Sequence, residues 1–431
     1  MDAPGPPQPI DDPGGEALDR PRAVSSFLLD LGAALHAAAL PAPLVESRVG
    51  AAARAFGFHA QVFVLQGFLT VEIEQGALAR VDLRRISFET HWKLWRTHEL
   101  ASLCAALAGG ELDLRAGREA LGRILAEPSP YPRWLVVLAY GVYGAAVAAR
   151  VGGAWLEALA GGLVGLLAGV IHFGTIDHHR IDLQKSFLAA LVGGLAAFFL
   201  TLILPPFDVG RAVFGGITLL VPAMVLTIST YELANDALEA GMARLAYALL
   251  RFLMLAFGSA LALRLFPLFA PLPARIVATP LPLPVVLGMV AIGGAALTAC
   301  LQGRKADLPW IAGAALFAFA IQELSKLVFG GRGSPMVSAL LLGLAAHGFA
   351  SRTGRAPATI IVPGLLQLAP GFLGAQAVFD LLAGVPVARS GEQARFFDVF
   401  MTALQLVTGL LLSEVLRRFR SATALERTAT S

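Results

Sequence analysis

The sequence predicts a polytopic α-helical membrane protein: about ten transmembrane helices arranged as five-plus-five inverted repeats, with a small cytosolic α+β domain at the N-terminus. Three observations lead there. Apolar residues fill 56% of the 431 positions and charged residues only 15%, against roughly 45–50% and about 25% in soluble chains. The mean hydropathy of +0.70 is too high for one water-soluble core, because such cores stop growing near about 300 residues. The apolar excess is also unevenly placed, and its pattern recurs once along the chain. This composition excludes a disordered chain, a collagen-like chain and a disulfide scaffold. Cys104 and Cys300 read as free thiols. A net charge of +3 is no nucleic-acid signature, so the expected surroundings are the lipid bilayer and not a nucleic acid.

Residues 1–22 are Pro/Gly-rich and acidic. They lack the apolar stretch of a secretory leader and read as a disordered tail. Residues 23–130 make the cytosolic domain. Ser25–Ala39 and Pro43–Phe56 have helical apolar spacing, and Gly57 stops the second helix. His59–Glu74 is rich in β-formers around Gln66-Gly67, which predicts a hairpin, with Leu78–Ser87 as a third strand. Trp92–Ala108 and Leu114–Leu125 return to the helical period. At Pro128, Pro130 and Pro132 the character changes.

From Arg133 onward long apolar runs alternate with short polar loops. A helix of about twenty apolar residues crosses a bilayer, and lipid cannot satisfy an open backbone, so the spans must be helical. They fall at 133–150, 154–173, 186–204, 213–234, 243–265, 281–302, 309–329, 335–350, 357–382 and 397–416. Residues 131–275 hold the first five, 276–418 the second five, and 419–431 form a tail. With the N-terminal domain inside, the inner loops and tail carry eleven Lys/Arg against seven outside. That bias places both termini in the cytosol.

The fourth and ninth spans share a motif at an offset of 148: Gly216 maps to Gly364, Pro222 to Pro370, Tyr231 to Phe379, Glu232 to Asp380 and Leu233 to Leu381. An odd number of spans separates the copies, so they run in opposite directions, as in inverted-repeat transporters. Proline lacks an N–H and clashes with the carbonyl four residues back. Interrupted helices at corresponding positions of two halves are the best sequence pointer to a substrate site; a plain helix kink is the other reading. The candidate substrate residues are Gly216, Thr218, Pro222, Thr227, Ser229 and Thr230 in the first copy, and Gly364, Gln367, Pro370 and Gly371 in the second. Hydroxyls and freed backbone groups suit a zwitterion, although Ser and Thr in helices commonly bond their own backbone.

Ionisable groups inside spans cost about 2.5–3.5 kcal/mol on the insertion scale. Glu232 and Asp380 are the leading proton-coupling candidates, because a partly buried carboxylate can take and release a proton; alternatively both mark helix ends. Glu323 joins them, paired at i, i+3 with Lys326 as a clamp or as part of a proton path. Arg251 is expected to face an acid, Glu232 or Glu239. His347 and His172 fit a relay or a helix end. Asn235 and Asp236 fit an inner vestibule or a solvated loop. Asp177-His178-His179-Arg180 lacks the further acidic ligands a metal site needs. Glu89, His91, His98 and Glu99 read as polar helix positions, and Glu46 and Arg48 as positions that can line a ligand site. No phosphate loop, HExxH or nucleophile elbow is present. No metal, cofactor or enzymatic activity is expected.

The stretch GGITLLVPAMVLTISTYELANDALEAG at 215–241 resembles the threonine/serine exporter (ThrE) family. PATIIVPGLLQLAPGF at 357–372 is similar to that family's second repeat, and residues 31–73 and 99–121 to its N-terminal domain. The likeness covers roughly 23–416. The chain departs from the family at Ala223, usually Gly, and at Ser229-Thr230-Tyr231, often Asn-Ala-Ile-Arg, which leaves Glu232 without the usual adjacent cation. The resemblance implies export of small hydroxylated amino acids driven by protons across the cytoplasmic membrane. Dicarboxylate transport on the same scaffold is the alternative, and a sensor or enzyme working through the N-terminal domain is a third. A homo-oligomer is compatible with any of these.

Overall fold

The computed structural model describes residues 15–75, 78–86, 93–174, 182–273, 278–368 and 401–417. The chain divides into two compact units, Met1–Thr90 with Glu99–Glu127, and His91–His98 with Pro128–Ser431.

In the first unit, helices α1 (Gly15–Ala37) and α2 (Ala42–Ala55) precede strands β1 (His59–Val64), β2 (Phe68–Gln75) and β3 (Leu78–Arg85). Helices α3 (Leu94–Ala108), whose residues from Glu99 onward belong to this unit, and α4 (Leu114–Ala126) follow. α1 begins at Gly15 with Pro21 inside it, so part of the expected disordered tail is helical. The strands form an antiparallel sheet in the order β1-β2-β3, with Val62 opposite Val71 and Val71 opposite Asp82. Side chains alternate faces along a strand: Leu69, Val71 and Ile73 are buried, and α1 and α2 pack on the sheet. Phe27, Leu28, Leu31 and Leu35 of α1 complete this core. Glu46 Oε1 accepts from the Val64 N–H at 3.1 Å. Asp113 caps α4 by accepting from the Ala116 N–H at 2.7 Å. Asp82 accepts from Ser25 Oγ at 2.5 Å and from Arg80 Nε at 2.6 Å. The hydrogen bond from Arg80 holds this carboxyl below the usual range. Burial pushes the Cys104 thiol up to about 11.

The second unit contains α5 (Arg133–Arg150), α6 (Trp155–Gly174), α7 (Asp182–Leu200), α8 (Val209–Ile217), α9 (Ala223–Ala234) and α10 (Leu238–Leu265). Then come α11 (Leu283–Cys300), α12 (Leu308–Thr353), α13 (Ala358–Leu368) and a helix at 401–417. Among the described residues, 6 helical segments are long and apolar enough to cross a membrane, or 7 if the bent pair α8–α9 is one span. The protein is thus a multi-pass helical membrane protein, though fewer segments qualify than the ten expected. Arg133 and Arg150 dilute the apolar character of α5, and α13 is described over only 11 residues. The expected seventh and eighth spans share α12, interrupted at Gly330 where φ is 68° and ψ 177°.

Lipid tails are as apolar as leucine, so helices in a bilayer associate by close packing at small residues. α5 packs on α6, α8 and α11 in this way. A Cβ on Gly144 would lie 2.6 Å from the Gly161 carbonyl oxygen and 3.1 Å from Gly216 Cα. One on Gly216 would lie 2.4 Å from Val164 Cβ. α13 packs against α12 and also against α9, so the described parts of the two repeated segments meet.

Candidate functional site

The site grows from the interruption at Pro222. Asp208 starts α8 by accepting from the Arg211 N–H at 3.1 Å. The buried Glu157 ties that corner together, accepting from the N–H groups of Asp208 at 2.7 Å and Ala154 at 2.8 Å. After Ile217 the helix tightens to a 3₁₀ turn over Thr218–Leu220. Pro222 cannot donate to that turn, and α9 resumes at Ala223 with its axis bent by 53°. The break lies where the motif predicts. Its hydroxyls, however, are engaged locally. Thr218 Oγ1 donates to the Phe214 carbonyl at 2.7 Å, Thr227 Oγ1 to Ala223 and Thr230 Oγ1 to Leu226 at 2.9 Å, and Ser229 Oγ to Leu226 at 2.9 Å. A hydroxyl that has given its proton still offers oxygen lone pairs, so these four remain acceptors.

Glu232 ends α9 and is 0% exposed. Asp236, with φ 61°, turns the chain into α10. Gly241 lets the two helices approach: a Cβ there would lie 2.8 Å from Leu233 Cγ and 3.0 Å from its backbone N. The return brings Arg244, 2% exposed, onto Glu232, with Nε 3.0 Å from Oε1 and 2.9 Å from Oε2. The cation missing from position 231 is therefore supplied from the next helix. Arg251, expected to face Glu232 or Glu239, lies about two turns further along α10 than Arg244, and its Nε donates to the buried Ser186 Oγ at 3.1 Å. Arg244 escaped the sequence reading because only the turn at Asn235-Asp236 brings it back to Glu232.

In the second copy, Gly364 packs on α12, where a Cβ would meet Leu342 Cδ1 at 2.5 Å. Gln367 is 3% exposed. Its carbonyl accepts from Arg150 Nη1 at 3.1 Å, while its side-chain Oε1 is buried without a hydrogen-bond partner. Pro370, Gly371 and Asp380 lie outside the described residues, as do Glu89, His91 and the 177–180 cluster. Glu323 pairs with Lys326 at 2.6 Å, and both are about half-exposed. His347 lies 3.3 Å from Glu414 on the 401–417 helix. His172 stacks on Tyr140 with centroids 5.7 Å apart. His98 accepts from the Ala356 N–H at 3.4 Å; burial pulls its pKa below the ordinary value, with Arg304 and Arg355 adding to the effect against Asp307. Among the described residues, no group of three or more His, Cys, Asp or Glu is placed to hold a metal ion.

Comparison with known proteins gives the family of the chain. The family profile described as "Putative threonine/serine exporter" matches residues 26–266 and 275–416. The "Probable threonine/serine exporter" of Mycobacterium tuberculosis is 27% identical over 337 residues, which cover 74% of this chain and 62% of that one. "Pheromone-regulated membrane protein 10" of Eremothecium gossypii is 22% identical over 250 residues, 56% of this chain and 33% of its own. Its namesake in Saccharomyces cerevisiae strain YJM789 is 24% identical over 250 residues, 56% of this chain and 32% of its own. The match thus spans about a third of the yeast-type relatives. No solved structure matches. With a profile that runs nearly end to end over the helical unit and its interrupted helix, the chain belongs to the threonine/serine exporter (ThrE) family.

Proposed function

We propose that this protein is a secondary active transporter that exports threonine, serine or similar small hydroxylated amino acids across the cytoplasmic membrane in exchange for protons. In this reading ten spans form two inverted five-helix repeats with both termini in the cytosol. The observation that carries it is the 53° break at Pro222, nearly three turns of helix before a fully buried Glu232–Arg244 pair. The repeat reading draws support from α13, which at the offset of 148 occupies the positions of α8 and its 3₁₀ turn. Substrate binds between the two interrupted segments, among Gly216, Thr218, Pro222, Thr227, Ser229, Thr230, Gly364, Gln367, Pro370 and Gly371. The acceptor hydroxyls of α9 suit an ammonium and a hydroxyl proton. Glu232, together with Asp380 and Glu323, carries the proton: protonating Glu232 frees Arg244 and lets α9 and α10 shift, so that one half rocks against the other. The partners are the amino acid, protons and the bilayer, in a monomer or a homo-oligomer.

The test is counterflow in proteoliposomes with labelled threonine, serine and succinate, with and without a pH gradient. Exchange of threonine and serine, stimulated by the gradient, is expected. Neither exchange nor competition by these two overturns the reading. Dicarboxylate exchange is the second reading, favoured by Lys185 and Arg251, two buried cations flanking Ser186; succinate exchange alone would select it.

A further inference from the structure

The hydroxyls on α8 and α9 leave a gap in the recognition of a zwitterion. Having donated to their own helices, they can accept from an ammonium but have no proton left for a carboxylate. The backbone N–H groups freed at the break can donate to it, and a charged side-chain donor would complete the recognition. Arg150, at the end of α5, donates Nη1 to the carbonyl of Gln367 at 3.1 Å, so its guanidinium lies against α13. Its Nε is buried without a hydrogen-bond partner. Among the other side chains in this condition are Gln367, 3% exposed, at Oε1, and Tyr143, 1% exposed, at its hydroxyl. Tyr143 precedes Arg150 by two helical turns on the same face of α5, and the guanidinium lies within electrostatic reach of both the phenol and the Glu323 carboxylate.

Buried polar groups in folded proteins are nearly always satisfied, and those that are not need an explanation. Here the three groups are complementary in kind. A guanidinium presents N–H donors in the fork geometry that matches a carboxylate, an amide oxygen accepts, and a phenol does either. We infer that Arg150, Gln367 and Tyr143 form the subsite that fixes the backbone end of an amino-acid substrate, Arg150 taking the α-carboxylate and the Gln367 amide oxygen the ammonium. The subsite rests on the exporter reading above and deepens it. It orients the substrate so that its side-chain hydroxyl faces the acceptors of α9. Neither Arg150 nor Tyr143 belongs to the repeated motif, so the motif alone does not reveal them.

The test is equilibrium binding to the purified full chain, with L-threonine, L-threoninamide and succinate as probes. Threoninamide keeps the ammonium and hydroxyl but not the carboxylate. A hydrogen bond to a charged group is equivalent to about tenfold or more in affinity. The wild type is therefore expected to prefer threonine to threoninamide by about tenfold or more, and Arg150→Gln to lose that preference by weakening threonine alone. Gln367→Leu, which removes the ammonium's acceptor, weakens both probes equally. An unchanged threonine-to-threoninamide ratio in Arg150→Gln, or an equal loss for both, overturns the assignment. If Arg150→Gln is not monodisperse, Arg150→Lys decides, because it keeps the charge but loses the fork; a selective loss for threonine supports the subsite and an unchanged ratio refutes it. A wild type that binds succinate but neither threonine nor threoninamide sinks the exporter reading itself, and the assignment with it.

Discussion

Replacing Arg244 with Gln leaves the Glu232 carboxylate fully buried without its cation. The two groups are 2% and 0% exposed, and one guanidinium nitrogen contacts both carboxylate oxygens at 2.9–3.0 Å. Unit charges about 4 Å apart attract by about 4 kcal/mol at an effective dielectric near 20. Removing one partner of a buried pair costs about 3–5 kcal/mol, because the other charge stays desolvated. Arg244→Gln and Glu232→Gln should therefore each destabilise the protein by about 3–5 kcal/mol. The double substitution strands no charge, so it should fall short of the sum by about 2–3 kcal/mol. Equilibrium unfolding in detergent, run as a double-mutant cycle, measures that difference. Additivity to within about 0.5 kcal/mol would refute the coupling. In proteoliposomes, Glu232→Gln should exchange substrate but no longer respond to a pH gradient; an intact response would remove Glu232 from the proton path.

Three further outcomes follow from the packing and the charges. Pro222→Ala restores an N–H at the 53° break and should lower transport at least about tenfold, as a straightened helix closes the site, with little loss of folded protein; full activity in counterflow would make the bend a plain kink. Gly216→Val places atoms where a Cβ alone would lie 2.4 Å from Val164 and should cost at least about 1–3 kcal/mol by overpacking, seen as a lower midpoint of unfolding. Asp82, whose pKa is lowered first by the Arg80 hydrogen bond and then by that from Ser25, adds stability above the unfolded carboxyl pKa near about 3.9 that is lost as the pH falls through the folded value. Asp82→Asn should flatten that acid limb in a pH series of unfolding midpoints, and an unchanged limb would count against it.

The sequence by itself determined the class of molecule and the position of its interruption. Bulk hydropathy and the helical period are local quantities, and a proline inside an apolar helical run removes an N–H and crowds the preceding turn, so an interruption at Pro222 was readable without neighbours. The hairpin around Gln66-Gly67 was readable for the same reason: β1 and β2 pair on either side of that turn. Tertiary structure decided which groups meet. Whether a serine or threonine hydroxyl faces a ligand or its own helix depends on a rotamer, and Thr227, Ser229 and Thr230 chose their own carbonyls. Arg244 reaches Glu232 only because Asp236 turns the chain and Gly241 admits the close return. Arg150 reaches Gln367 across 217 residues, a distance over which no periodicity carries information. Spacing along a chain reports what a helix does to its own turns, while a binding site is made where separate helices bring their side chains together.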